Sequence, residues 1–215
     1  MDRDFWHEKW KQKELGFHKR EPNPLLLHHF GKLGLEPGSR VLLPLCGKTR
    51  DISWLLANGY SVAGSELVPT AIEQLFEELE VTPKVTEVGS LSLYSAKDID
   101  IYVGDIFDLR ADTLGHVDAI YDRAALVALP EALRARYADH LMAICHKAPQ
   151  LLITFDYAQR LMAGPPFSVD EAEVERHYGR HYDVRLASNT TVEGGLKGLY
   201  PADELVWVLA DRSGS

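Results

Sequence analysis

The sequence predicts a doubly wound α/β domain built on a mostly parallel sheet of seven strands. Three features of the chain lead to this fold class: apolar runs of strand length recur along it, helices with an apolar stripe separate them, and two β-rich segments without an intervening helix end it. Strands buried on both faces are continuously apolar because helices cover a parallel sheet from both sides. With 215 residues, 46% hydrophobic and 26% charged, the chain is long enough for one globular domain.

A first β-α-β-α unit occupies the region that follows the turn signal Glu-Pro-Gly-Ser at residues 36–39. We expect a strand at 40–46, a helix at 51–58 ended by Gly59, a strand at 60–66 and a helix beginning at Pro69. The last helix carries an apolar stripe, formed by Ile72, Leu75, Phe76 and Leu79.

The second half of the chain repeats this alternation and then changes character. Strands are predicted at 99–105, 117–123 and 150–157, with a long helix at 130–147. Right-handed crossovers between such strands give a parallel sheet. The β-rich segments at 183–192 and 203–210, joined through Gly194 and Gly195, predict a terminal antiparallel pair.

The N-terminal segment is charged but carries four aromatic residues, which are Phe5, Trp6, Trp10 and Phe17. Trp6 and Trp10 are four residues apart, so they would share one face of a helix and close over a ligand as a lid; packing onto the sheet is the alternative, more so for Trp6. The predicted organisation is a single domain over residues 1–215, with an N-terminal lid segment at 1–30 and an α/β core at 31–210.

Composition excludes several classes of partner. With 32 acidic and 23 basic residues the formal charge is −9, which disfavours nucleic acid. The two cysteines, Cys46 and Cys145, are expected to be thiols in a reducing compartment. The charged N-terminus lacks the apolar core of a signal peptide, and no apolar window reaches membrane-spanning length. We therefore expect a cytoplasmic protein with no membrane partner, and a monomer by default.

The triplet Gly47-Lys48-Thr49 resembles the end of a phosphate-binding loop, but its context argues against that function. A Walker loop needs a glycine five positions before Gly47, where this chain has Leu42. Pro44 also removes a backbone donor from the segment that would surround the phosphates.

Ligands of open α/β sheets bind beyond the carboxyl ends of the strands, and Glu66 closes the second strand there. It lies nineteen residues after Gly47, where a carboxylate is placed to accept both hydroxyls of an adenosine ribose. The alternative is that Glu66 caps the helix beginning near Pro69.

Asp105 and Ile106 follow the third strand, where they would meet the edge and the face of an adenine ring. The alternative for Asp105 is that it starts a turn. A dinucleotide site would need three glycines to approach a pyrophosphate, whereas this loop has Gly47 alone. A cofactor with ribose and adenine but no phosphate fits better, and S-adenosylmethionine is such a cofactor.

Several short motifs, taken in chain order, resemble those of the thiopurine S-methyltransferase family. They are LLPLCGK at 42–48, Glu66, GDIFDL at 104–109, YDRAALVAL at 121–129 and GPPF at 164–167. The resemblance runs from the N-terminal aromatics to about Tyr178.

This resemblance implies a class I S-adenosylmethionine-dependent methyltransferase fold. It also implies methyl transfer to a soft nucleophile, which is a thiopurine or aromatic thiol or a selenium or tellurium species, and a link to metalloid resistance. Matching positions would contact the cofactor: Trp10, Leu45, Glu66, Asp105, Ile106 and Arg123. Phe17 and His18, with Arg123, would contact the substrate, and no residue is assigned a chemical step. Mammalian members carry an arginine before the last strand, where this chain has only Lys197 as a cation.

Arg123 has three possible roles at the end of the fourth predicted strand: it binds the cofactor carboxylate, it holds an anionic substrate, or it forms a structural ion pair with Asp122 or a neighbour. His177 and His181 have helical ligand spacing, but Gly179 interrupts the helix and no third ligand is evident, so no metal site is expected.

Two other functions share this fold class. An NAD(P)-dependent reductase would use the same acid at the end of the second strand but needs the missing glycines. A non-catalytic cofactor-binding module would need a partner surface, for which the sequence gives no signal.

Overall fold

The structure is a computed structural model that describes residues 21–212. Within that part of the chain, nine strands form one sheet in the order β3-β4-β5-β2-β1-β6-β7-β9-β8. The strands are β1 Arg40–Leu43, β2 Ser61–Glu66, β3 Lys84–Val88, β4 Leu91–Ala96, β5 Ile99–Val103, β6 Ala119–Arg123, β7 Gln150–Asp156, β8 Tyr182–Thr191 and β9 Asp203–Asp211.

The centre of the sheet is parallel, and its strand order changes direction beside β1. From β1 the chain moves outward to β2 and β5 on one side and then to β6 and β7 on the other. Val41 of β1 is paired with Val62 of β2 and with Ala119 of β6, both in parallel register. The doubly wound α/β class is therefore confirmed, and a ligand is expected at the carboxyl ends of β1 and β6, where the order switches.

Antiparallel strands flank this parallel centre on both edges. β7 pairs with β9, and β9 pairs with β8, as the sequence predicted for the chain's end. On the other edge β3 and β4 form a hairpin that continues antiparallel into β5.

That hairpin corrects the predicted strand count, because the described sheet has nine strands rather than seven. Its outer strand mixes polar and apolar residues and is mostly exposed, with Val85 at 50%. It therefore lacks the continuous apolar run by which the other strands were identified. The turn between the strands contains Gly89 in a left-handed conformation (φ +64°), so a Gly-Ser turn between two short segments was the available signal.

The described residues form six α-helices, of which α1 precedes the first strand and the others lie between strands: α1 Pro24–His29, α2 Arg50–Ala57, α3 Pro69–Glu78, α4 Ala111–Leu114, α5 Glu131–Ile144 and α6 Glu171–Tyr178. Short 3-10 helices lie at Phe30–Leu33, Ile106–Asp108, Leu126–Ala128 and Gln159–Leu161. Pro69 is the first residue of α3, as predicted. None of the helices between residues 21 and 212 is both long and apolar enough to span a bilayer.

Side chains of alternate strand residues pack into two apolar cores, one on each face of the sheet. Leu42 lies in one core, and its neighbours Val41 and Leu43 lie in the other. Leu26 and Phe30 pack into the second core, so residues 24–30, which the sequence analysis assigned to the lid segment, belong structurally to the α/β core. The Asn23 amide, directly before α1, donates to Asp51 Oδ1 at 2.7 Å, which ties the start of α1 to the first turn of α2.

Candidate functional site

The loop after β1 is held in a tight, strained path beside β2. Leu45 and Gly47 both have positive φ, at +47° and +53°. The Leu45 and Cys46 amides donate to the Ser65 side chain and carbonyl, at 3.2 and 2.9 Å. Left-handed backbone at a residue with a side chain is uncommon and persists where the surroundings hold it.

Glu66, at the end of β2, joins this loop to the entry of α3. Its Oε2 accepts a hydrogen bond from the Gly47 amide at 2.8 Å. Its Oε1 accepts from the Leu67 and Val68 amides at 2.8 and 2.9 Å. Burial raises the pKa of the Glu66 carboxyl, although the backbone donors act against that rise. The capping alternative is thus present in part, since Val68 directly precedes α3, and Oε2 keeps acceptor capacity beside the loop.

Asp105 and Ile106 lie beyond β5, as predicted, but their side chains have structural partners. Asp105 Oδ1 accepts from the Phe107 amide at 3.1 Å and begins the 3-10 helix at 106–108, which is its alternative role. Ile106 is 1% exposed and packs in the core, and its carbonyl lies 2.8 Å from His140 Nε2. An adenine contact at this position would therefore involve the backbone surface more than the Ile106 side chain.

Arg123 ends β6 with a side chain that is 14% exposed, and the carboxylate beside it is Asp51 rather than Asp122. Its Nη1 lies 3.7 Å from Asp51 Oδ2. Asp122 faces the opposite core, where its oxygens accept from the Leu126 amide at 3.1 Å and from the Tyr137 hydroxyl at 2.7 Å. Burial raises the pKa of Asp122 to about 6.

A cleft lies between the loop after β1 and the end of β6, at the switch in strand order. Its lining residues are Leu43, Pro44, Leu45, Cys46, Lys48, Thr49, Asp51, Tyr121, Arg123 and Ala124. Glu66 is not among these lining residues, but it holds the Gly47 amide of the loop that borders the cleft. Glu66 offers acceptors to an adenosine diol and Arg123 offers a planar fork of donors to an amino-acid carboxylate, so the two residues together suit a cofactor that carries both groups. S-adenosylmethionine has both groups.

The GPPF segment at 164–167 is tied to the residues that follow Arg123. The Phe167 amide donates to the Val127 carbonyl at 2.7 Å. The Tyr157 hydroxyl donates to the Pro166 carbonyl at 2.7 Å, and Lys197 Nζ donates to the Pro165 carbonyl at 3.0 Å. Lys197 of the β8–β9 loop thus holds this segment from the other side.

Three predicted site residues, Trp10, Phe17 and His18, lie outside the described part of the chain. His177 lies on α6 with its Nε2 3.2 Å from Glu173 Oε1. Among residues 21–212, no three His, Cys, Asp or Glu side chains form a cluster that could hold a metal ion.

Sequence reasoning missed Asp51 and Tyr121 as members of this cleft. Asp51 was read only as the start of a helix, but its side chain is 1% exposed and accepts the Tyr121 hydroxyl at 3.1 Å. Tyr121 is 70 residues away in the chain. The available signal was an acidic residue followed directly by the buried face of α2.

Solved structures of methyltransferases share this fold. A SAM-dependent methyltransferase from Anabaena variabilis covers 98% of this chain and 95% of its own, with a TM-score of 0.65 at 14% identity. The Burkholderia thailandensis 1,6-didemethyltoxoflavin-N1-methyltransferase, solved with bound 1,6-didemethyltoxoflavin and S-adenosylhomocysteine, covers 97% and 86%, with a TM-score of 0.64 at 15% identity. At these identities the likeness concerns the fold.

Sequence relatives are much closer. The family model for thiopurine S-methyltransferase matches residues 1–208. A thiopurine S-methyltransferase of Xanthobacter autotrophicus is 54% identical over 97% of this chain and 99% of its own. One of Gluconobacter oxydans is 49% identical over 94% and 92%. The chain therefore belongs to the thiopurine S-methyltransferase family and is an S-adenosylmethionine-dependent methyltransferase, which confirms the family, enzyme class and cofactor that the sequence predicted.

Proposed function

We propose that this methyltransferase acts on a soft, anionic nucleophile, either a thiopurine or aromatic thiol or a selenium or tellurium oxyanion. The observation that carries the proposal is the cleft at the carboxyl ends of β1 and β6, which places Arg123 opposite the loop that Glu66 holds. The names of the bacterial relatives support a thiopurine or a related thiol as the acceptor.

Cofactor binding is assigned to residues of this cleft and to residues at the carboxyl ends of β2 and β5. Glu66 would accept the ribose hydroxyls, Leu45 would line the loop, and the backbone at 105–106 would border the adenine. Arg123 would bind the amino-acid carboxylate, because a guanidinium and a carboxylate match in a bidentate arrangement. Trp10 is proposed to cover the cofactor, with Phe17 and His18 on the acceptor side.

The chain's task in this reaction is positioning and the exclusion of water. When bound, S-adenosylmethionine supplies a methyl group on a positively charged sulfur, which an acceptor displaces in line. Heterocyclic thiols ionise near neutral pH, so a strong general base is not needed. Asp122 is buried and bonded away from the cleft. Asp51, which lines the cleft, accepts from the Asn23 amide and the Tyr121 hydroxyl. These engaged carboxylates agree with a site that orients an acceptor already ionised.

The acceptor is proposed to lie between Arg123 and the GPPF segment. Lys197, the cation of the β8–β9 loop, is engaged by the Pro165 carbonyl. A lysine in that position shapes the wall of the site and offers no planar fork to a purine ring. This arrangement favours small or adaptable acceptors over a site dedicated to thiopurines.

Two experiments test the proposal. Calorimetry is expected to detect S-adenosylmethionine and S-adenosylhomocysteine binding, and no binding of NADH, which would instead support the reductase alternative. A methyl-transfer assay then compares a thiopurine, a thiophenol, selenite and tellurite. Measurable turnover of at least one is expected, whereas cofactor binding without turnover of any would favour a non-catalytic module.

A further inference from the structure

Asp51 is a buried carboxylate at the junction of three elements that border the cleft. It lies in the first turn of α2, where the Thr49 side chain accepts from its amide at 3.3 Å. Its Oδ1 accepts from the Asn23 amide at 2.7 Å, and its Oδ2 accepts from the Tyr121 hydroxyl at 3.1 Å. A carboxylate that is 1% exposed is retained only when charged or polar groups compensate its loss of water.

The cationic neighbour of the Asp51 carboxylate is Arg123, the residue proposed to bind the cofactor. Arg123 Nη1 lies 3.7 Å from Asp51 Oδ2, which is an ion-pair distance beyond that of a hydrogen bond. Arg123 and Tyr121 are two residues apart on β6, so their side chains leave the same face of the sheet. Burial, followed by the nearby Asp51 charge, raises the pKa of Tyr121 well above its usual value, so the hydroxyl remains a donor.

We propose that Asp51 is a positioning residue, which orients the Arg123 guanidinium toward the amino-acid carboxylate of the cofactor and fixes the start of α1 at Asn23. An arginine side chain has many rotamers, and a fixed counter-charge behind it reduces the number it samples. The proposal rests on the assignment of Arg123 under the proposed function.

The proposal predicts a ligand-specific defect. 5′-Methylthioadenosine shares the adenosine and thioether of S-adenosylhomocysteine but lacks the amino-acid carboxylate. Asp51→Asn is expected to raise the Kd of S-adenosylhomocysteine about tenfold, as loss of a charge-assisted contact does. The Kd of 5′-methylthioadenosine is expected to stay within about twofold.

A double-mutant cycle separates positioning from a general structural effect. In an Arg123→Ala background, Asp51→Asn is expected to cause no further loss of S-adenosylhomocysteine affinity, because the group that it orients is gone. A structural role alone would weaken both ligands alike and would give additive effects. Either of those results overturns the proposal.

Asp118 offers a matched control just before the amino end of β6, which is the opposite end of the strand from Arg123. Its Oδ2 accepts from the Arg40 amide at 2.7 Å, the same kind of contact that Asp51 makes with Asn23. Asp118→Asn is expected to leave the affinities for both ligands unchanged.

Should Asp51→Asn fail to fold, Tyr121→Phe is the substitute variant, because it removes one donor from the Asp51 carboxylate and keeps the aromatic ring. It is expected to raise the Kd of S-adenosylhomocysteine about threefold without affecting 5′-methylthioadenosine, and an equal effect or none overturns the proposal.

The wild type distinguishes this inference from the proposed function. If the wild type binds neither ligand, the proposed function and the inference both fall. If the wild type binds S-adenosylhomocysteine more tightly than 5′-methylthioadenosine and Asp51→Asn preserves that preference, the inference alone falls.

Discussion

The Glu66 carboxylate and the Gly47 amide are joined by a 2.8 Å hydrogen bond that connects the end of β2 to the loop after β1. The same carboxylate also accepts hydrogen bonds from the Leu67 and Val68 amides, directly before α3. One side chain therefore fixes the end of β2 relative to the loop after β1, which borders the cleft. A residue proposed to hold the ribose is also part of the scaffold, so its substitution is expected to affect both binding and stability.

Glu66→Gln tests this double role. A glutamine presents one acceptor oxygen and one NH2 group, so a donor would face either the Gly47 amide or the pair at Leu67 and Val68. We expect a stability loss of about 1–3 kcal/mol, the cost of a buried unsatisfied donor. We also expect at least about tenfold weaker S-adenosylhomocysteine binding. Urea unfolding and calorimetry measure the two effects.

Glu87→Gln is a suitable control, because Glu87 lies on the exposed edge strand and contacts the Ser92 hydroxyl. It is expected to change neither property. Wild-type affinity in Glu66→Gln would contradict the ribose assignment.

Gly64→Ala probes the packing beneath the same loop. An added Cβ would lie 2.6 Å from Ile101 Cδ1 and 3.0 Å from Cys46 Sγ, so the end of the Ile101 side chain must move and the Cys46 side chain must give way. Overpacking of this kind costs about 1–3 kcal/mol, and the shift at Cys46 is expected to weaken cofactor binding. The melting temperature with and without S-adenosylhomocysteine measures both effects.

Gly31→Ala is its control, since an added Cβ there meets nothing within 4 Å. An unchanged melting temperature in Gly64→Ala would show that β2 tolerates the methyl group.

β1 and β2 were predictable because their signals are local. β1 is an apolar run that ends in a loop, β2 ends in an acid, and Pro69 marks the start of α3 within three residues of Glu66. The edge hairpin was not predicted, because β3 is exposed and gains its stability from pairing with β4. Its existence depends on a partner rather than on its own pattern.

The cleft's internal contacts were less predictable than its location. Asp51 and Tyr121 are separated by 70 residues and meet only because α2 packs against the end of β6. Arg123 was considered as a partner of Asp122, its neighbour in sequence, but successive strand residues face opposite sides of a sheet. Because side chains alternate along β6, Arg123 lies on the face where Asp51 is, and Asp122 lies on the opposite face, in the other core.

Arg134 anchors the GPPF segment from α5, and its removal is expected to be costly. The side chain is 4% exposed, and Nη1 donates to both Glu173 oxygens at 2.8 Å and to the Ser168 carbonyl at 3.2 Å. Arg134→Met keeps the apolar stem but leaves a buried carboxylate without this partner, which costs about 3–5 kcal/mol. Urea unfolding measures the loss, and the KM of the acceptor is expected to rise more than that of the cofactor.

Adding Glu173→Gln to Arg134→Met is expected to recover part of the lost stability, because the uncompensated charge is removed. Arg185→Met is the matched control: Arg185 pairs with Asp183 on the exposed face of β8, and its loss is expected to cost less than about 1 kcal/mol. Equal losses in Arg134→Met and Arg185→Met would contradict the assigned role.

The raised pKa of the buried Asp122 carboxyl predicts that stability depends on pH in a specific way. Burial raises the pKa of its carboxyl from 3.8 to about 6. Between these values the folded state keeps a proton that the unfolded state has lost, so the free energy of unfolding falls as pH rises. The contribution of the protonated Asp122 carboxyl to stability is fully present below pH 3.8 and is lost as the pH rises to about 6. Two pKa units correspond to about 3 kcal/mol.

Asp122→Asn removes this titration, while the amide oxygen still accepts the Tyr137 hydroxyl. Urea unfolding of both proteins between about pH 4 and pH 7 is therefore expected to show the wild type losing stability relative to the variant, by on the order of 3 kcal/mol. Asp98→Asn, at an exposed turn, controls for the substitution itself and is expected to follow the wild type at every pH. Parallel curves for the wild type and Asp122→Asn would mean that the Asp122 carboxyl ionises as readily in the folded chain as in the unfolded one.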